Sequence, residues 1–453
     1  MVSIRAKSVV PMSVTPMSGA PRSATPRSAT PGSPTPRMRG LLMGRFLTIA
    51  LLWMAIDNGY LLWKSREQMA QGYGDFANFY TAGTLVRRGQ SAELYSAAAE
   101  WKVQQEFSSE VKIRRGPMRY MRPPFEALFF LVFAAWPYPT ALLILTALKL
   151  ILLVWIPFIV AHGRHWREGL PLWLTPLLIL GTFPAFMDLM MGQDAMVMAF
   201  LFAICFRQLE TGRDVWAGVA LGLSLFKFQL ALPFFLILWI AGRKRVVAGF
   251  GISAAVLAVI SAGVVGWRGV LKYPGYLLAL SQAKGVGISP EIQITLRGLL
   301  TLFSERVADI RVVAWLLAAV AVGAIVYTGL LWRKAGENFL AEGFGLAAIV
   351  AIVTSYYASD YDLLLLVVPL LAVGTRSGDA PAVDRVTQYL ERIGLLLLLV
   401  APVYWFCRIH HAECLMAIPL MAVGLALARR LRAAETGLVP ASLSTIAAPG
   451  GPE

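Results

Sequence analysis

Residues 215–241 read VWAGVALGLSLFKFQLALPFFLILWIA, and the single charge among them is Lys227. A soluble helix of this length would show a polar face at helical spacing, and this stretch has none, so it is read as embedded in a bilayer. It is long enough for one crossing, or for two shorter segments that meet at the lysine. A lysine in such a place is costly and is by default a functional hypothesis. Its bland alternative is a side chain that snorkels to the interface.

Working outward, the same apolar texture recurs at 41–63, 124–161, 170–187, 194–209, 246–266, 310–332, 339–356, 361–374, 393–407 and 413–431. With 57% hydrophobic and 15% charged residues and a mean hydropathy of +0.64, the chain is too apolar for a soluble domain. The expectation is an all-α polytopic membrane protein of about 11–13 crossings. The stretch 124–161 leaves its count open, because Trp136-Pro137-Tyr138-Pro139 has the look of a turn. A full hairpin there would carry Gln193 to the opposite side of the membrane.

The net charge of +15 comes from 41 basic and 26 acidic residues. In a membrane chain such an excess sets orientation before it suggests nucleic acid. The segment before the first span holds Arg5, Lys7, Arg22, Arg27, Arg37 and Arg39 and no acidic residue, which places the N-terminus in the cytoplasm. With the clusters at Arg164/Arg167, Arg207/Arg213, Arg243-Lys244-Arg245, Arg333-Lys334 and Arg429-Arg430-Arg432 also inside, the loops 64–122 and 267–309 fall outside. The first of these loops carries ten Lys/Arg against six Asp/Glu, but long loops are weakly constrained by charge. Residues 1–37, with SATPRSATPGSPTP at 23–36, are read as a disordered cytoplasmic tail, 38–432 as the membrane domain and 433–453 as a flexible tail. Met38 and Met43 are alternative starts, and no cleavable signal is evident.

Polar residues gather on the outer side of this topology: Asp75, Gly192-Gln193-Asp194, Lys227, the loop 267–309 and SYYASDYD at 355–362. They are expected to converge on one outward-facing cavity. Asp75 precedes an amphipathic run in which Phe76, Phe79, Tyr80 and Gly83 share a face, so it is also a candidate helix cap. That helix is expected to lie flat on the membrane with its aromatic face down, which would hold the carboxylate at the depth of a lipid phosphate. Arg122, with Arg114, Arg115 and Arg119, forms a basic rim suited to a phosphate or to anionic headgroups. Asp360-Tyr361-Asp362 is a D-x-D triplet without the strand–helix alternation of a nucleotide domain, and carries little weight. Cys407 and Cys414 bracket RIHHAE, which leaves a disulfide, a zinc site with His410 and His411, or plain interfacial residues.

GDFANFYTAG (74–83), GQSAELY (89–95), RPPFEALFFLVFAAWP (122–137), MGQDAMVMAFLFA (191–203), GRDVWAGVALGLSLFKFQLALP (212–233), QITLRGLL (293–300) and SYYASDYDLLLL (355–366) follow one another in an order that resembles glycosyltransferase family 87. The resemblance covers roughly residues 40–375. It departs in the last motif, where many members carry Ser-Pro and a histidine and this chain has Tyr356, Asp360, Tyr361 and Asp362. The resemblance implies a GT-C-like bundle and an inverting hexosyl transfer, with mannose as the family's sugar. The donor would be a polyprenyl-phosphate sugar, the acceptor a glycolipid or glycan, and the site would face the outside of a cell membrane, the inner one in a bacterium.

It further implies Asp75 as catalytic base, and Lys227, Arg297 and Arg122 as cations for the leaving phosphate. Gln193, Tyr361 and Asp362 would contact sugar hydroxyls, with Tyr80 also in the substrate-binding set. No metal or cofactor is required. The rival is a transporter or flippase of a lipid-linked sugar, which should show pseudo-symmetric repeats; no convincing repeat is visible.

Overall fold

The computed structural model describes residues 36–108, 116–162, 171–282, 289–304, 310–375 and 384–435. The chain divides into residues 1–44, described only from the helical start at Pro36, and residues 45–453, which hold the bundle. The expected tails at 1–37 and 433–453 lie almost wholly outside the described residues. Every regular element among the described residues is helical.

Among the described residues seven helices are long and apolar enough, by length and composition, to cross a bilayer, or up to nine if each of two pairs bent by 68° is one span. The bent pairs are Leu172–Leu180 with Phe183–Met191, and Arg385–Leu399 with Ala401–Ile409. Two other apolar segments of the expected set are shorter than a full crossing. Ala195–Glu210 has 16 residues, and 360–374 is a 3-10 turn followed by the 8-residue helix Val367–Gly374.

The open count at 124–161 resolves at its prolines. Glu126–Phe133 has 8 residues, roughly 12 Å of helix, and cannot span. After Trp136, Pro137 and Pro139 start the 24-residue helix Tyr138–Ala161, where their missing amide hydrogens cost little. That stretch therefore holds one helix long enough to cross. The opening segment, 215–241, consists of the helices Asp214–Leu223 and Phe228–Ile240 joined by a 3-10 turn at Ser224–Lys227, and the Arg243–Asp214 ion pair at 3.3 Å brings its two ends together. Lys227 thus sits at the turn where two shorter segments meet.

Lys244–Gln282 runs 39 residues as two helical stretches, the first of which, up to residue 265, is roughly 33 Å and matches a hydrocarbon core of roughly 30 Å. It is broken at Gly266, whose φ of 72° and ψ of 161° only glycine adopts easily. The expected span 246–266 ends at this break. The remainder of the helix occupies what the sequence suggests is the start of an outer loop.

Two main apolar cores form among the described residues, with two small clusters beside them. The larger joins Phe186, Phe202, Phe234, Phe344, Leu364 and Leu420 among others. The smaller holds Phe76, Phe79, Phe130, Phe133, Tyr138 and Leu145. Phe76–Arg87 is amphipathic as expected, but its aromatic face packs inside the protein. Phe79 stacks on Phe130 at 4.8 Å, and Phe76 lies 5.3 Å from Tyr138. The short helix Glu126–Phe133 covers the face that the pattern alone would assign to lipid.

Candidate functional site

A cavity of about 460 Å³ opens between the cores, walled by Phe79 from the smaller and Phe226 from the larger. Its charged lining is Asp75, Arg119, Arg122 and Arg297, with Gln193, Gln229, Gln293 and Tyr357 among the neutral polar residues. Three guanidinium groups and one carboxylate reach it, Arg119 and Arg122 each also paired with a carboxylate, Glu100 and Asp194. Leu277, Leu278, Leu280 and Phe228 give it an apolar flank.

Asp75 stands at the N-cap of Phe76–Arg87 but makes no side-chain capping bond. Its Oδ2 instead accepts from Gln193 Nε2 at 2.6 Å. Gln193 Oε1 accepts from Arg122 Nη2 at 3.2 Å, and the same nitrogen reaches Asp194 Oδ1 at 3.1 Å. Asp194 Oδ1 also lies 2.8 Å from Lys227 Nζ, which reaches Asp362 Oδ1 at 2.6 Å. Five distant parts of the chain are thereby joined in one polar line.

The sequence-derived candidates separate along that line. Asp75, Gln193, Arg122 and Arg297 reach the cavity. Lys227 and Asp362 lie behind its wall, 0% and 1% exposed, and the ammonium also sits 4.8 Å from the Tyr361 ring centre. Asp362 closes a capping box with Ser359, and Tyr361 shares a 2.7 Å hydrogen bond with the phenol of Tyr357. Tyr80 belongs to the small aromatic core, its hydroxyl donating to the Trp136 carbonyl at 2.8 Å, and does not line the cavity. Arg297 makes no ion pair among the described residues. Its guanidinium lies 3.9 Å over the Tyr356 ring and donates to that residue's carbonyl at 3.4 Å. Of the three expected cations it is the one least committed to protein carboxylates.

The segment carrying Arg119 and Arg122 is held by its backbone. The carbonyls of Tyr120, Met121 and Arg122 accept from the hydroxyls of Tyr276, Tyr273 and Tyr95, each at 2.9 Å. Two of these tyrosines stand beyond the Gly266 break, which explains why that helix runs so long. Pro123 and Pro124 stiffen the exit.

Arg119 pairs with Glu100 at 2.5 Å and donates to the Tyr95 carbonyl at 2.7 Å. The Glu100 side chain has no exposure, and burial pushes its carboxyl up to about 7 against the opposing pull of Arg119 and the Tyr120 amide. The folded state therefore holds this proton more tightly than the unfolded chain. That contribution to stability is full below the ordinary value of 4.5 and is lost as pH rises through 7. In thermal melts from pH 4.5 to 8, wild type should lose on the order of 3 kcal/mol relative to Glu100→Gln, which cannot ionise. Parallel pH curves for the two proteins would remove the assignment.

Lys149 and Asp188 are functional candidates that the sequence reading missed. Both are fully buried, paired at 3.0 Å. The signal is present, a lysine within TALKLILL inside the apolar stretch 124–161 and an aspartate within FMDLMM one residue past the end of 170–187. Among the described residues no group of three His, Cys, Asp or Glu is placed to hold a metal ion. Cys407 and Cys414 are buried free thiols, so neither the zinc nor the disulfide reading is realised.

No curated protein matches the chain. The profile of glycosyltransferase family 87 matches residues 120–359, a span that contains Arg122, Gln193, Lys227 and Arg297 and stops short of both Asp75 and Asp362. Because that span is more than half of the 453 residues, this membrane protein belongs to glycosyltransferase family 87.

Proposed function

We propose that the protein transfers a hexose, mannose as the family expectation has it, from a polyprenyl-phosphate donor to a hydroxyl of a glycolipid or glycan acceptor. The observation that carries this reading is the shared cavity of one carboxylate and three arginines beside an apolar flank. Asp75 takes the proton of the acceptor hydroxyl as its oxygen attacks the anomeric carbon. The bond from that carbon to the phosphate oxygen breaks on the opposite face, so the configuration inverts. Polyprenyl phosphate departs with the bonding electrons, and Arg297 and Arg122 meet the charge that grows on it. The apolar flank suits the lipid chain. The basic clusters support an orientation with the N-terminus inside and the cavity outside the cell membrane.

The test is transfer of labelled sugar from purified polyprenyl-phosphate-mannose to a membrane acceptor by the protein in nanodiscs. The expected product has inverted anomeric configuration. Movement of the labelled lipid across a vesicle without transfer would favour a flippase instead. Arg297→Ala should lower kcat/KM for the donor by about 10- to 100-fold, the loss of one charge-assisted contact, with most of it in KM. An unchanged donor KM would remove Arg297 from the phosphate.

A further inference from the structure

We propose that Gln193 is a positioning residue that aligns the base with the cavity cation, and that the buried Lys149–Asp188 pair holds it in place. The inference rests on the proposed role of Asp75 as base, and it gives Gln193 a task other than touching sugar.

Both functions of the Gln193 amide are already used. Its Nε2 donates to Asp75 Oδ2 at 2.6 Å and its Oε1 accepts from Arg122 Nη2 at 3.2 Å. The reversed amide would set oxygen against carboxylate and NH2 against guanidinium, so the two charges dictate one orientation. At 4% exposure little water competes for either bond. The amide keeps a second N–H and a second lone pair, but its plane and orientation are set by the two charged partners.

Its backbone is fixed as firmly. Gly192 turns the chain with φ of 65°, and a Cβ there would meet Phe76 Cβ at 2.6 Å, which brings the turn against the residue after Asp75. The Gln193 amide donates to the Asp188 carbonyl at 2.9 Å. Lys149 Nζ donates to the Gln193 carbonyl at 3.0 Å and to the Asp188 carbonyl at 2.8 Å. Asp188 Oδ1 accepts from the Ala195 amide at 2.8 Å. The ion pair therefore binds both ends of the 188–195 turn. Buried pairs of this kind contribute little net stability, which leaves positional precision as the reason for this one.

The test compares Gln193→Ala and the near-isosteric Gln193→Glu with wild type. Alanine removes the Gln193 bond to the carboxylate, and kcat should fall about 10- to 100-fold while donor and acceptor KM stay within about twofold. Glutamate sets a second carboxylate beside Asp75. With Arg122 favouring the ionised newcomer, the acidic limb of the pH–kcat profile should move up by about one unit or more. The other groups around Asp75 are the phenols of Tyr357 and Tyr361 and the cavity-lining Arg119 and Arg297, all common to the proteins compared.

Carboxyl bands assigned by infrared difference against Asp75→Asn, recorded without turnover, should titrate higher in the Gln193→Glu background. If wild type transfers no sugar but this shift is seen, the alignment stands and the reaction assignment falls. A raised KM with kcat retained in Gln193→Ala, or a carboxyl titration unmoved in Gln193→Glu, would overturn the inference.

Discussion

Asp75→Asn should lower kcat by about 10²- to 10⁴-fold, the usual contribution of a positioned general base, and leave the protein folded. Folding is spared for two reasons. Asp75 makes no side-chain cap bond, so the helix Phe76–Arg87 does not depend on its charge. An asparagine oxygen can still accept from Gln193 Nε2, now 2.6 Å from the carboxylate, so that link is kept. Only the ability to take a proton is removed. The melting temperature should therefore stay within about 1–2 °C of wild type, and donor binding, followed by quenching of tryptophan fluorescence, should persist. Full turnover by the variant would show that another group accepts the proton. A collapse in melting temperature would show that the carboxylate is structural.

Asp75, Gln193 and Arg122 are legible in the sequence as polar groups against apolar surroundings, and Arg297 through the family resemblance; all four line the cavity. What the sequence could not supply was the pairing. Lys227 and Arg297 are equal cations on paper; only the fold sets two carboxylates on the first and an aromatic ring under the second. Periodicity showed the aromatic face of Phe76–Arg87 but not what covers it, since lipid and the helix Glu126–Phe133 are both apolar. Tyr80 shares that face and was swept into the substrate set, although its hydroxyl is bound to Trp136. Lys149 is lost because hydropathy averaging dilutes one charge in a long span, where it is the exception that carries information, and Asp188 because it falls just past the end of one.

The contrast between the two cations yields the largest expected effect on stability. Lys227 Nζ lies 2.8 Å from Asp194 and 2.6 Å from Asp362 with no solvent contact, so Lys227→Met leaves buried carboxylates without their cation. Breaking a buried pair from one side costs about 3–5 kcal/mol, a large fraction of the stability of most proteins. In a chain of this size that corresponds to a fall of about 3–5 °C in melting temperature, read by thermal-shift chromatography in detergent. Lys227→Met combined with Asp362→Asn should recover more than half of the loss. The second change removes one stranded charge, while Asp194 keeps Arg122 at 3.1 Å. Such recovery is the signature of an internal charge balance. If Lys227→Met instead melts like wild type and loses only donor affinity, the ammonium faces the substrate phosphate directly, and the network behind the cavity wall opens during turnover.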